Sequence, residues 1–168
     1  MKLRRAGPAD IAAIMAIERG PGFENFVGRS SHAQHEEMLA SPRYRYFVGL
    51  GPHDDALAFA ILRDFDDPHG NLYLKRFVVA RPGEGLGAAF LRVLLEWVFA
   101  HTSTHRFYLD RFAHNERAQR LYEKFGFTRD GVLREAYLGP DGQRRDLTLM
   151  ALTRREWEAS AKAVNGPA

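Results

Sequence analysis

The sequence predicts a mixed α/β fold of the α+β type, with a mostly antiparallel sheet. Three β-rich segments follow one another with short polar turns between them, at residues 44–50, 56–63 and 71–79, as antiparallel strands do. A strand–helix–strand unit over 71–110 then requires one parallel pair with a right-handed crossover. Two last strands, at 127–137 and 144–152, form a hairpin around Gly139-Pro140-Asp141-Gly142.

The helices are predicted by apolar residues at intervals of three and four. A short edge strand at 3–5 precedes a first helix that opens at Gly7-Pro8, and Ser30-Ser31 caps a second helix that ends near Leu39. The longest helix runs from about 85 to 100, with an apolar stripe at 86, 89, 90, 93, 94, 97 and 98. A fourth helix spans 115–125, and the capping-box pattern that starts at Thr153 opens a terminal helix.

Composition excludes several classes of protein. The chain of 168 residues is expected to form a single domain over 1–168. Its 24 basic and 21 acidic residues are mixed throughout, which argues against nucleic acid as a partner. It has no cysteine, so disulfides and a thiolate nucleophile are excluded. Without a signal-peptide pattern or a long apolar run, a cytoplasmic location and no membrane partner are expected.

The glycine-rich segment at 83–88 carries the most functional information. It joins a β-rich strand to the start of the longest helix, where free amides and the helix dipole favour an anion. An NTPase phosphate loop is excluded because no Lys-Ser or Lys-Thr follows. A dinucleotide site remains open, with Gly83, Gly85 and Ala88 in the glycine pattern and Asp110 after the next strand. A plain structural turn is the third interpretation.

Two further patterns accompany the glycine loop. The segment 115–127 reads Asn-x-x-Ala-x-x-Leu-Tyr-x-x-x-Gly-Phe throughout, and the strand before the loop ends in Phe77-Val78-Val79. With these motifs the chain resembles the GCN5-related N-acetyltransferase (GNAT) superfamily over about residues 3–152. In that resemblance 77–79 correspond to the coenzyme-binding strand and 82–87 to the Gln/Arg-x-x-Gly-x-Gly/Ala motif. The resemblance implies a GNAT-like sheet with one splayed parallel pair and helices on both faces. It also implies direct acetyl transfer from acetyl-CoA, a co-substrate, to an amine, without a metal.

The resemblance also implies which residues contact the coenzyme. They are Phe77, Val78, Val79, Pro82, Gly83, Glu84, Gly85, Leu86, Gly87, Ala88 and Asn115. One position departs from the family pattern, because Pro82 stands where the motif has Gln or Arg and has neither an N–H nor a side-chain donor. The pyrophosphate would then rest on the amides of 83–88, with Arg81 as a substitute counter-charge. The effect of Pro82 is left open.

Tyr122 falls on the tyrosine of the family motif, which implies that it protonates the departing CoA thiolate. A phenol of pKa about 10 can give a proton to a thiolate of pKa about 8.5 at a small uphill cost. The alternative for Tyr122 is a core aromatic, since it shares a helix face with Ala118 and Phe125. Asn115 is also well placed to be a helix N-cap, a role compatible with coenzyme contact.

The attacking amine must be neutral, which for a lysine-like amine costs roughly 4–5 kcal/mol at pH 7. A base is therefore expected, and Asp110 is the first candidate. The segment from Tyr108 to Phe127 is similar to bacterial ribosomal-protein N-terminal acetyltransferases, which carry a carboxylate there. The alternative is a strand-end acid paired with Arg111. Glu18, Glu24 or a water relay are further candidates for the base, although both glutamates are expected to be surface acids.

Acceptor identity does not follow from the sequence. Residues 20–42 and 137–145 are expected to select the acceptor, with Tyr137 either shaping that pocket or serving only the hairpin. A protein or peptide N-terminus is the first candidate acceptor and a small-molecule amine the second. A noncatalytic acyl-CoA sensor is the main alternative function, and a homodimer is compatible with the sequence. The seven histidines lack metal-site spacing, and all are expected at the surface.

Overall fold

The computed structural model describes residues 1–24 and 27–165, and side chains as far as residue 160. Its strands are β1 (Lys2–Arg5), β2 (Tyr44–Leu50), β3 (Ala56–Arg63), β4 (Asn71–Val79), β5 (Arg106–Phe112), β6 (Thr128–Leu138) and β7 (Arg144–Thr153). After a 3-10 turn at Pro8–Asp10, its helices are α1 (Ile11–Glu18), α2 (His32–Ala40), α3 (Leu86–His101), α4 (Glu116–Lys124) and α5 (Arg154–Asn165).

All seven strands form one sheet in the order β1-β2-β3-β4-β5-β7-β6. Every neighbouring pair is antiparallel except β4 and β5, which are joined through α3 and pair in parallel. The predicted mixed fold is therefore confirmed. The caps predicted at Ser31 and Thr153 also form: the Ser31 side chain accepts the N–H of Gln34, and Glu156 accepts from the Thr153 N–H and hydroxyl.

Helices cover both faces of the sheet. On one face, here called the α3 face, Leu72, Leu74 and Phe107 of the sheet pack with Phe90 and Leu94 of α3, and α4 and α5 cover the same face. On the opposite face, here called the α1 face, Phe59, Ile61 and Val78 of the sheet pack with Ile14 of α1, and α2 covers the same face. Because the central strands are covered on both sides, they tolerate apolar side chains in both directions, as the sequence of β3 shows.

Two details differ from the sequence predictions. The buried side of α3 comprises Phe90, Leu91, Leu94, Leu95, Val98 and Phe99, so it is rotated from the predicted stripe. Part of the reason is α5, since Trp157 stacks on Phe99 and covers that flank of the helix. Strand β5 also continues two residues past Asp110, because β7 pairs with it as far as Phe112.

A bulge in β4 reverses the direction of its side chains. Opposite β3, Ile61 pairs with Arg76 and Leu62 with Leu74, which leaves Lys75 as one extra residue. Side chains alternate with a period of two along a strand, so one inserted residue exchanges the faces. Leu74 before the bulge and Phe77 after it therefore both lie on the α3 face.

In the described part of the chain, no helix combines the length and hydropathy that crossing a membrane requires.

Candidate functional site

The parallel strands β4 and β5 diverge inside the sheet. They pair over three positions alone, from Asn71 opposite Arg106 to Tyr73 opposite Tyr108. Beyond that point β4 stays paired with β3 and β5 stays paired with β7. The facing edges of the two strands past Tyr73 and Tyr108, here called the fork, therefore have no strand between them. This opening has the splayed form that the resemblance implies.

The start of α3 lies beyond the end of β4. Gly83 and Gly85 both adopt left-handed backbone, with φ of 96° and 78°, and a Cβ on either would meet open space. The first helical hydrogen bond is donated by the Ala89 N–H to Gly85 O, at 3.1 Å. The amides of residues 86–88 precede that bond and have no partner in the described chain, so they are free to hold an anion.

The residues around this loop are exposed. Arg81 does not extend as a free counter-charge, because its Nε donates to Glu84 Oε2 at 2.8 Å. Pro82 is exposed beside it. Arg81 and Glu84 are each about half exposed, so the ion pair between them is weak and can be exchanged for another anion.

Tyr122 is buried on the α3 face beside the fork. Its ring lies edge-on to Phe77 of β4 with centroids 6.3 Å apart, and 5.5 Å from the ring of Phe127. Phe77 stacks in turn on Phe90 of α3 at 5.2 Å. Burial raises the pKa of the Tyr122 phenol, and the Arg111 guanidinium opposes that rise. Tyr122 is thus a core aromatic and also a neighbour of the predicted coenzyme strand, protonated at neutral pH.

Asn115 caps α4, as its sequence position predicts. Its Oδ1 accepts the N–H of Ala118 at 3.1 Å, and Gly126 ends the helix in left-handed backbone with φ of 87°. The cap fixes the start of the helix that carries Tyr122. Contact between Asn115 and a coenzyme stays a prediction.

Asp110 lies within β5 on the α1 face, because Phe107 and Leu109 point to the α3 face. The hydroxyl of Tyr73 donates to Asp110 Oδ2 at 2.7 Å across the fork. The alternative partner Arg111 points to the opposite face, where it donates to Phe112 O and Gln119 Oε1. The alternative that Asp110 pairs with Arg111 is therefore not met in the structure, since adjacent strand residues face opposite ways. Sequence reasoning missed Tyr73, which carries no motif signal.

Glu18 is fully buried, which contradicts the expectation of a surface acid. Its Oε1 accepts from the Ser30 N–H at 3.0 Å and from Arg19 at 3.1 Å, and its Oε2 accepts from Arg76 of β4 at 2.8 Å. Both carboxylate oxygens are thus occupied by donors. A role for Glu18 as the base would require breaking this buried ion pair.

His35 is also fully buried, so the expectation that all histidines lie at the surface is wrong. Its Nδ1 lies 3.0 Å from the Tyr46 hydroxyl, and its Nε2 lies 3.5 Å from Glu18 Oε2. Burial lowers the pKa of His35, against the opposing effect of Glu18. The described residues contain no group of three or more side chains able to hold a metal.

The remaining candidate residues are Glu24 and Tyr137. Glu24 is exposed, as expected, at 4.0 Å from Arg29. Tyr137 packs edge-on against Phe112 at 4.8 Å, two residues beyond Asp110. Within the segment 20–42, residues 25 and 26 lie outside the described residues.

A cavity of about 640 Å³ opens at the other end of the parallel pair. Its lining includes Asp64, Asp67 and Arg106, together with Tyr108, whose ring stacks on Tyr73 at 5.1 Å. Tyr108 precedes Asp110 by two residues on the same face of β5, so the cavity begins about 7 Å from Asp110 along the strand.

Comparison with known proteins identifies the family. The sequence model of the acetyltransferase (GNAT) family matches residues 11–127. The chain belongs to the GNAT family. That match includes β4, the glycine loop, Asp110, Asn115 and Tyr122.

The GNAT chain is similar to curated polyamine acetyltransferases from Bacillus subtilis. A probable spermine N(1)-acetyltransferase of the natto strain BEST195 is 34% identical over 93 residues, 51% of this chain. The spermine/spermidine N(1)-acetyltransferase of strain 168 gives the same values. The chain spans 61% of the length of these relatives. Similarity to ribosomal-protein N-terminal acetyltransferases stays a prediction.

Solved structures share the fold. The spermidine N-acetyltransferase from Vibrio cholerae in complex with CoA and spermine has a TM-score of 0.81 at 20% identity, covering 94% of this chain and 97% of that one. Mutant forms of the spermidine/spermine N-acetyltransferase from that organism reach 0.82, also at 20% identity, covering 95% and 97%. At this level of identity the likeness concerns the fold.

Proposed function

We propose that this protein transfers an acetyl group from acetyl-CoA directly to a primary amine of a small molecule, without a covalent enzyme intermediate. The observation that carries the proposal is the fork, with Tyr122 beside it on the α3 face and Asp110 beside it on the α1 face. A GNAT chain with this arrangement has a proton donor on one side of the opening and a proton acceptor on the other.

Acetyl-CoA supplies the thioester whose acyl group moves to the amine. The amides of residues 86–88 would hold its diphosphate, and the free edge of β4 from Phe77 to Val79 would align its pantetheine arm. Asp110 Oδ1 accepts no hydrogen bond within the described chain and is free to take a proton from the amine. The Tyr122 hydroxyl would then give a proton to the sulfur as the thiolate departs.

We propose a polyamine as the first acceptor to test, because the curated relatives are named for spermine and spermidine. The cavity beside Tyr108 supports an elongated acceptor, because the cavity lies on the same face of β5 as Asp110 and could take the part of the acceptor that extends beyond the reacting amine. Asp67 in its lining accepts two hydrogen bonds from Asn71 and forms no ion pair with any described residue. Its carboxylate could therefore face a second ammonium group. A peptide N-terminus is the competing acceptor.

The test is thiol release from acetyl-CoA with spermidine, spermine, an amino-acid amide and a short peptide. We expect Tyr122→Phe to lower kcat by about 10²–10⁴-fold, the usual contribution of a general acid, while the Kd for acetyl-CoA changes less than twofold. Tyr44→Phe is the matched control, because it removes the hydroxyl of a half-buried tyrosine on β2, which β3 separates from β4 and the fork. If the unmodified protein binds acetyl-CoA but releases no thiol with any of these amines, and Tyr122→Phe behaves in the same way, the result would instead favour a noncatalytic acyl-CoA sensor.

A further inference from the structure

Tyr73 connects the two strands of the fork at the point where their pairing stops. It stands opposite Tyr108 in the last parallel pair, yet its hydroxyl reaches forward to Asp110, two residues further along β5. Of the described residues, Tyr73 alone donates a hydrogen bond to the Asp110 side chain. The contact joins residues that are 37 positions apart in the sequence.

The ring of Tyr73 is held from two sides. Tyr108 stacks on it at 5.1 Å with the planes 30° apart, and the Arg63 guanidinium lies 4.9 Å from its centroid. Arg63 is fixed in turn by Asp64, through a 3.0 Å hydrogen bond from its Nε. Because the ring is clamped, the hydroxyl has little freedom to turn away from Asp110.

We propose that Tyr73 is the positioning residue for the base of the acetyl transfer: it holds Asp110 Oδ2 and so directs Oδ1 toward the acceptor amine. The proposal rests on the proposed function and adds a residue to it. A carboxylate free to rotate would present either oxygen in many directions, whereas one anchored oxygen leaves the other at a defined place.

Burial raises the pKa of Tyr73, and the nearby Asp110 carboxylate raises it further, so the hydroxyl remains a donor at all working pH values. Lys75 of β4 also interacts electrostatically with Asp110, but Tyr73 alone among the described residues donates a hydrogen bond to its side chain.

Tyr73→Phe tests the proposal because it keeps the stacked ring and removes the hydroxyl alone. If Tyr73 sets the direction of Oδ1, kcat at saturating amine should fall about tenfold or more, while the Kd for acetyl-CoA and the unfolding midpoint stay unchanged. Tyr44→Phe, which removes a tyrosine hydroxyl on β2 outside the proposed site, should leave kcat unchanged.

A purely structural role would give a different result. Tyr73→Phe would then lower the unfolding midpoint, or weaken acetyl-CoA binding together with kcat, and an unchanged kcat overturns the proposal. A second measurement does not depend on turnover: carbon-13 NMR of the aspartate carboxylates, with the Asp110 signal assigned by Asp110→Asn. The chemical shift of the Asp110 carboxylate should change in Tyr73→Phe even if no amine is acetylated, because the hydrogen bond from Tyr73 is lost. Failure of the proposed function and failure of this inference are therefore separable.

Discussion

Glu18→Gln should strongly destabilise the fold, because it removes one charge of a buried ion pair on the α1 face. The substitution keeps the shape of the side chain and removes its charge. Glu18 is fully buried, and the side chain of its partner Arg76 is only 10% exposed. Arg76 also donates to Ser30 Oγ at 3.2 Å, so it cannot turn to water without losing a second contact.

Breaking a buried ion pair from one side leaves the other charge uncompensated, which costs about 3–5 kcal/mol. Since the free energy of unfolding of a domain is about 5–15 kcal/mol, this is a large fraction of the total. For a chain of this length the loss lowers Tm by roughly 10 °C. Urea denaturation followed by circular dichroism, together with thermal scans, measures both quantities.

Two comparisons make this result decisive. Glu24→Gln removes an exposed acid from the same region and should change the free energy of unfolding by less than about 0.5 kcal/mol. Glu18→Leu combined with Arg76→Met removes both charges and should cost less than Glu18→Gln alone, since no charge is left buried. If Glu18→Gln costs under about 1 kcal/mol, or if the double variant equals the sum of its single variants, the network does not stabilise the fold as described.

Two further changes test other parts of the structure. Gly85→Ala places a Cβ in open space on left-handed backbone, so its cost is backbone strain of about 1–2 kcal/mol. Calorimetry should show weaker binding of acetyl-CoA, and an unchanged Kd would argue against an anion site at the start of α3. Since burial lowers the pKa of His35, the unfolded chain binds a proton that the folded chain does not, and stability should fall as the pH drops below about 6.5. His35→Gln should flatten this fall between pH 7.5 and 5.5 in urea titrations, and an unchanged slope would exclude His35 as its source.

Local patterns were sufficient to predict much of the fold. The bounds of β2, β3 and β4 coincide with the predicted ranges, because each strand is a β-rich run between turn residues. The caps at Ser31, Asn115 and Thr153 were predicted for the same reason, since a cap is decided within four residues.

Contacts between distant residues account for the failures. Glu18 has the sequence pattern of a solvated acid at the end of an amphipathic helix. Its burial is made favourable by donors that include Arg76, 58 positions away, and the Ser30 N–H, 12 positions away. His35 is buried through contacts with Tyr46 and Glu18, on two other elements. Tyr73 and Asp110 could be joined only by knowing the register of β4 against β5, which no single-sequence pattern specifies.

The bulge at Lys75 explains how one strand can serve both faces of the fork. Before it, Tyr73 lies on the α1 face with Asp110, and after it Phe77 lies on the α3 face with Tyr122. Because side chains alternate, an unbulged β4 would place Phe77 on the same face as Tyr73 and remove the aromatic wall beside Tyr122. Under the proposed function, the extra residue lets β4 border the base Asp110 on the α1 face and the acid Tyr122 on the α3 face. One strand would then support removal of a proton from the amine and delivery of another proton to the sulfur, on opposite faces of the sheet.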